Sequence, residues 1–239
     1  MSLFNGYFKL FFCLLILSLF HSCTQPSDPI EKDLLQKCID AHGGMEVWQS
    51  QDSITYYKDI VLYLEDGSIE KSLSQFHQYS YKPNLSGTIS WKDSIERKIV
   101  FDNNEAHKVN GDKAEAPDQS SYNAFQAANY VLNMPWKLMD SAAVITYKGL
   151  DTILDNQIVH TLKIEYPTGE KQDVWEYYLH RDEYYLVANM VNHGTTYSLI
   201  TNDEYAEHQG LKYNAKRTSY MTDSLGNILY TRAKYVYSY

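Results

Sequence analysis

The chain has 239 residues and a formal net charge of −9, from 30 Asp and Glu against 21 Lys and Arg. An acidic surface without a basic stripe repels phosphate backbones, which argues against nucleic acid as a partner and against capture of anionic lipid by surface charge. Tyrosine is over-used, with 22 residues against 8 Phe and 4 Trp, a bias that fits half-wetted strands or a cavity wall that is apolar in body and polar at its tips.

Lys9 precedes an apolar run from Leu10 to Phe20. The run is shorter than the about 20 residues a bilayer span needs and has the length of an export-signal core. Ser22-Cys23 at its end has the pattern of a bacterial lipobox, with Phe20 where leucine is usual. The expectation is a signal peptide over residues 1–22 and lipidation of Cys23. That would place the protein in the cell envelope, anchored by lipid at the outer membrane, on its periplasmic face or at the cell surface. An ordinary signal peptide with a chance cysteine, or an uncleaved anchor helix, are the alternatives. Cys13 lies in the signal, so Cys38 stands alone in the folded part without a disulfide partner, and its apolar helix face predicts a buried thiol. Residues 23–28 read as a polar tether and residues 29–239 as one domain.

A helix is predicted from Pro29, with Asp28 as N-cap and Glu31 completing a capping box. Leu34, Cys38 and Ala41, flanked by Leu35, Ile39 and His42, form its apolar face, and Gly43-Gly44 its left-handed stop, before one more turn over residues 45–48. From Ser53 the hydrophobic period becomes two. Strands are expected from Ser53 through Leu64 and over 68–81, 85–91, 95–102 and 106–109, with turns at Asp66-Gly67, Lys92-Asp93, Asn103-Asn104 and Asn110-Gly111. After Pro117 the period is helical again through Tyr122, Phe125, Asn129 and Leu132, until Pro135 stops it. Met134 to Met139 then forms an apolar loop, which must tuck into something. The second half returns to strands over 144–147, 151–154, 157–166, 173–180, 184–192, 195–208, 211–222 and 227–237. Alternation sets Ile158, Leu162, Ile164 and Tyr166 against Val159, Thr161, Lys163 and Glu165, predicting one apolar and one wet face.

The chemistry-bearing residues form no recognisable machinery. His180-Arg181-Asp182 copies a kinase catalytic loop in letters only and reads as a hairpin turn. His77, His107, His160, His193 and His208 lack metal-ligand spacing, and His42 is placed to satisfy a helix end. No Gly-x-Ser-x-Gly, Walker loop or dinucleotide fingerprint occurs, and Glu165, Glu176 and Glu204 are expected to face outward. We therefore assign no catalytic residue, no metal site and no cofactor. Trp91, Met134, Trp136, Leu138, Trp175, Tyr177 and Met190 are the candidate wall of a ligand cavity; the same side chains would equally serve as ordinary core.

About a dozen antiparallel strands must close into a barrel, split into a sandwich, or curl around whatever covers their concave face, and two amphipathic helices are available to cover it. The order of lipobox, capped helix ending Ala41-His42-Gly43-Gly44, long hairpin strands, mid-chain helix running into Met134-Pro135-Trp136-Lys137-Leu138-Met139-Asp140, and further hairpins resembles uncharacterised Bacteroidota-type secreted lipoproteins. These are similar to the lipoprotein carrier and receptor superfamily of the LolA and LolB kind. The resemblance implies a mainly β, α+β fold: a curved antiparallel open half-barrel of about 10–12 strands, with helices covering a concave face that carriers use for acyl chains. It transfers no catalytic residue, and Cys23 makes the chain resemble an anchored receiver more than a soluble shuttle. The expected function is a membrane-anchored, non-catalytic module binding a hydrophobic or amphipathic ligand, a lipid or acyl chain. An interaction lipoprotein with a solid core and an enzyme using the cavity are the alternatives.

Overall fold

The computed structural model describes residues 29–139, 142–166, 174–192, 194 and 196–239. The signal, Cys23, the tether and the capping residue Asp28 lie outside the described residues. Helices α1 (Pro29–Ala41) and α2 (Met45–Ser50) lead into six strands: β1 (Ser53–Tyr63), β2 (Ile69–Ser80), β3 (Ser86–Lys92), β4 (Glu96–Asp102), β5 (Glu105–Asn110) and β6 (Lys113–Ala114). Helix α3 (Gln119–Leu132) and a 3-10 turn (Trp136–Met139) follow. Seven more strands complete the chain: β7 (Val144–Ile153), β8 (Gln157–Glu165), β9 (Val174–His180), β10 (Leu186–Asn192), β11 (Tyr197–His208), β12 (Leu211–Thr222) and β13 (Ile228–Ser238).

All thirteen strands form one antiparallel sheet, in the order β6-β5-β4-β3-β2-β1-β13-β12-β11-β10-β9-β8-β7. The first six make a meander running outward from the centre. The last seven make a second meander that starts at the opposite edge and returns until β13 pairs with β1. Because β6 and β7 are the two edges, the sheet stays open, and the segment joining them must cross a whole face. That crossing carries α3 and the apolar loop, which is why Met134, Pro135, Trp136 and Leu138 are buried although none belongs to a strand. A curved open half-barrel with helices on its inner side is the result.

Each helix sits where its sequence dictates. Leu34, Leu35, Cys38 and Ile39 bury the apolar face of α1, and the chain turns at Gly43 and Gly44, both at positive φ, with Gly44 N–H donating to Ile39 O at 2.9 Å. The expected capping box of Glu31 with Asp28 lies outside the described residues. The Glu31 carboxylate accepts from the backbone N–H of Tyr147, tying α1 to the edge strand β7. Helix α3 starts at Asp118, whose carboxylate accepts from Ser121 N–H at 2.9 Å. It lays Phe125 on Phe101, with ring centroids 4.4 Å apart and planes 5° from parallel.

The second meander differs from the sequence expectation in two places. Segments 144–147 and 151–154, read as separate strands, largely belong to the single strand β7, because Gly149 at φ +105 takes up a register shift without breaking the pairing with β8. The far side of β8 is also not wet throughout. Val159 and Thr161 are buried, and Val159 joins Tyr178, Val187, Ala188 and Leu199 in a small core on the convex face. The tip of the β12–β13 hairpin reaches this core, with Gly226 against Met190. Lys163 and Glu165 do reach solvent there, paired at 2.9 Å, and Ile158, expected on the apolar face, is exposed instead, near the β7–β8 turn where it pairs with Thr152.

Candidate ligand-binding site

On the concave face a cavity of about 260 Å³ lies between α3 and strands β1 to β4. Its roof is a helical stripe of small residues, Ala124, Ala127, Ala128 and Val131, at the i, i+3, i+4, i+7 spacing of one helix face. Side chains that short cannot fill the space above Ile89, Trp91 and Ile99, which form the floor. Lys58, Gln75 and His77 close the third side. Strand pairing fixes this arrangement: Gln75 stands between Lys58 and Trp91, and His77 between Tyr56 and Ile89.

The polar end has a definite chemistry. Buried His77 has Nε2 at 3.1 Å from Gln75 Oε1 and Nδ1 at 3.2 Å from the hydroxyls of both Tyr56 and Tyr79. The amide oxygen accepts, so Nε2 carries the proton and Nδ1 accepts from a phenol. Burial, helped by Lys58, lowers the imidazole pKa from 6.5 to about 3 and keeps the ring neutral. Lys58 Nζ lies 5.0 Å from the ring centre of Tyr235 and 5.7 Å from that of Tyr237.

Behind Tyr237 is Arg217, only 4 % exposed. Its Nε donates to Asn202 Oδ1 at 2.9 Å and its Nη2 to Asn189 Oδ1 at 3.1 Å. Burial alone would raise the Tyr237 phenol, but Lys58, Arg217 and a hydrogen bond from Arg217 together hold it below its ordinary value. Neither Lys58 nor Arg217 has a carboxylate within ion-pair distance among the described residues.

The seven residues picked from sequence are distributed over this frame. Trp91 lines the cavity. Met134, Trp136 and Leu138 are packed into the centre, Trp136 stacked on Trp48 with centroids 6.2 Å apart and tilted against Tyr213 at 5.5 Å. Trp175 and Tyr177 are on the other flank of α3, where Tyr130 meets the Tyr177 hydroxyl at 3.1 Å and the Trp175 ring at 6.5 Å. Met190 projects from the convex face and lines a separate depression of about 460 Å³ with Glu176, Tyr178 and Leu225. A third cavity, of about 300 Å³, lies beside α2 between Trp48, Tyr81, Leu85 and Lys137.

Sequence reasoning missed Lys58, His77 and Arg217 as members of the inner face. A usable signal existed in Tyr235, Tyr237 and Tyr239, a period-two phenol stripe marking the inner side of β13. His180, Arg181 and Asp182 fall at the β9–β10 turn, the His180 ring accepting from Glu183 N–H at 3.1 Å. Among the described residues no three acidic, His or Cys side chains are grouped to hold a metal, and no helix is long and apolar enough to cross a membrane.

No protein-family model and no curated protein matches the sequence. Solved structures do match in shape. A LolA superfamily protein from Nitrosomonas europaea aligns over 87 % of this chain and 91 % of its own, at 10 % identity and a TM-score of 0.53. A DUF1329 family protein from Desulfovibrio piger aligns over 89 % and 92 %, at 7 % identity and a TM-score of 0.58. A domain described as an outer membrane lipoprotein-sorting protein, from Vibrio parahaemolyticus, aligns over 87 % and 89 %, at 8 % identity and a TM-score of 0.51. The fold is therefore LolA-like. At these identities the likeness concerns the fold alone.

Proposed function

We propose that the chain is a lipid-anchored protein of the cell envelope that holds a hydrophobic or amphipathic molecule, a lipid or acyl chain, on its concave face without catalysing a reaction on it. The observation that carries this reading is the cavity under α3, roofed by alanines and floored by Ile89, Trp91 and Ile99. Its volume is close to the lower end of the roughly 300–1,000 Å³ range of small-molecule sites, and its apolar walls meet a few polar groups at one end, as such sites do. In this reading Trp91 touches the ligand. Met134, Trp136 and Leu138 fix the crossing segment that carries α3, while Trp175 and Tyr177 bound the space on its other flank. Met190 serves the convex face.

Two measurements test the reading. Native mass spectrometry of protein purified without detergent should reveal bound lipid, and a fluorescent fatty acid should bind saturably; failure of both would end the proposal. For the anchor, Cys23→Ser should release the protein from membranes and abolish palmitate labelling, and unchanged sedimentation with unchanged labelling would refute lipidation. An interaction lipoprotein with a solid core is the second reading, supported by the complete burial of Trp136 and Leu138 in the middle of the concave face. Empty protein in the mass spectrum together with no fatty-acid binding would favour it.

A further inference from the structure

Around the cavity under α3 the sign of charge is opposite to that of the molecule. Thirty acidic residues outnumber 21 basic ones over the whole chain, yet no acidic side chain lines the cavity under α3, while Lys58 does. The groups hydrogen-bonded to the Arg217 side chain are all uncharged: the amides of Asn189 and Asn202 and the phenol of Tyr237. Removing a guanidinium from water costs several kcal/mol, and neutral acceptors offset this less well than an anion does. One further donor is left over. The Nδ2 of Asn189, on a fully buried side chain whose oxygen is already used by Arg217, has no hydrogen-bond partner. Lys58, half buried, meets the faces of Tyr235 and Tyr237 and has no ion-pair partner among the described residues.

We propose that the concave face selects an amphiphile with an oxyanion head, a carboxylate or phosphate, held by Lys58 and Gln75 in front of the buried Tyr237–Arg217 pair, with its apolar tail under α3 against Trp91 and Ile89. This rests on the reading of the cavity as a lipid site and names the class of lipid. The geometry divides the two ends of such a molecule. Lys58 and Gln75 are paired across β1 and β2, Lys58 and Tyr237 across β1 and β13, and Arg217 lies one strand further, paired with Tyr235 on β12. Lys58 therefore lines one side of the space, with Tyr237 and buried Arg217 behind it, and the alanine stripe and Trp91 line the other. The lowered Tyr237 phenol reports the same positive field. A carboxylate or phosphate, ionised at neutral pH, can take charge-assisted hydrogen bonds from Lys58 and from the Gln75 amide N–H, whose oxygen is already engaged by His77; such bonds are about twice as strong as neutral ones.

The test is a titration of the full-length protein with decanoate, decyl phosphate and methyl decanoate, followed by tryptophan fluorescence and calorimetry, on wild type and Lys58→Gln. Either anion should bind at least about tenfold more tightly than the ester, and the tighter of the two identifies the head. Lys58→Gln should weaken the anion by about tenfold and leave the ester unchanged. Equal binding of anion and ester would overturn the head assignment while keeping the lipid site. Binding of none of the three would overturn the lipid site as well. A preference for anions that survives Lys58→Gln would place the head elsewhere and also defeat the proposal. Arg217→Met is the stronger perturbation; should it fail to fold, Lys58→Gln, on a half-exposed residue and checked by its thermal midpoint, still decides.

Discussion

Mild acid should loosen the junction between α1 and the sheet well before it neutralises the carboxylates. The group responsible is His42, at the end of α1 and 2 % exposed. Its Nδ1–H donates to Lys212 O at 2.8 Å and its Nε2 accepts from Leu186 N–H at 3.1 Å, so the neutral ring joins α1 to β12 and β10 at once. Trp136 and Tyr205 meet it edge-on, at 6.0 and 5.2 Å. A second proton on Nε2 would face the Leu186 N–H and break that bond. Burial lowers the pKa from 6.5 to about 4; the hydrogen bond to Lys212 opposes the shift and the Lys212 charge adds to it.

Between pH 6.5 and 4 the unfolded chain therefore binds the proton that the native state refuses. The His42 contribution is complete above pH 6.5 and lost as pH falls to 4, at a slope of about 1.4 kcal/mol per unit and about 3 kcal/mol in all. His77, lowered to about 3, acts with the same sign, so the two together should reach about 3 kcal/mol per unit, a large fraction of a typical stability of about 5–15 kcal/mol. Asp93, held at about 2 by hydrogen bonds from the Ile95 backbone and Arg97, and the lowered Asp66, Asp118 and Asp223 lose their contributions only below pH 3.8. The window above pH 4 thus isolates the two histidines. Urea unfolding at pH 7, 6, 5 and 4.5 measures the slope in wild type, His42→Gln and His77→Gln. Each variant should lose about one proton's worth of slope. A wild-type stability that is flat from pH 6.5 to 4.5, or a His42→Gln slope equal to that of wild type, would refute the reasoning.

Three further outcomes follow from packing. Gly87→Ala would place a Cβ 2.3 Å from Gln78 O and 3.2 Å from the Phe125 ring, so it should cost about 1–3 kcal/mol by lifting α3; an unchanged thermal midpoint would contradict this. Trp136→Ala should cost about 3–5 kcal/mol, and Trp136→Phe much less, because the indole Nε1 has no partner to lose; denaturant midpoints separate them. The Cys38 thiol, fully buried and with its pKa raised by burial, should react with a thiol reagent only as fast as the protein unfolds, whereas a rapid native-state reaction would place it at the surface.

Local periodicity carried most of the secondary structure. The stripe on α1, the Gly43-Gly44 stop, the helix ended by Pro135 and the β hairpins are consequences of residues a few positions apart, and the apolar loop at Met134 to Met139 announced its own burial. What periodicity could not deliver were facts about which face a strand presents after a bulge, and which strands meet across the chain. Adjacent residues of β12 face opposite ways, so Lys216 points outward to Glu204 at 2.7 Å while Arg217 points inward, and which of the two faces inward depends on pairing that is irregular around Glu204. In sequence the two cations look alike. The convex core escaped notice for a related reason: Val159 and Thr161 alternate with Leu162 and Ile164 as outward residues should, and only the second meander covers them.

Pairing of β13 with β1 joins residues near opposite ends of the chain, and the charge of the concave face hangs on it. Lys58 opposes Tyr237 and Asp59 opposes Val236, so Lys58 is turned to the inner side and Asp59 to the outer. Side chains in a strand alternate with period two, so a slip of β1 by one residue would exchange them. The inner face would then present a carboxylate near Arg217 and lose the ammonium beside Gln75. Burial of Ile54 and Tyr56 on the inner side, alternating with exposed Thr55 and Tyr57, opposes that slip. The apolar pattern that holds β1 in register is therefore also what sets an ammonium, and no carboxylate, beside Gln75 on the inner face of an acidic protein.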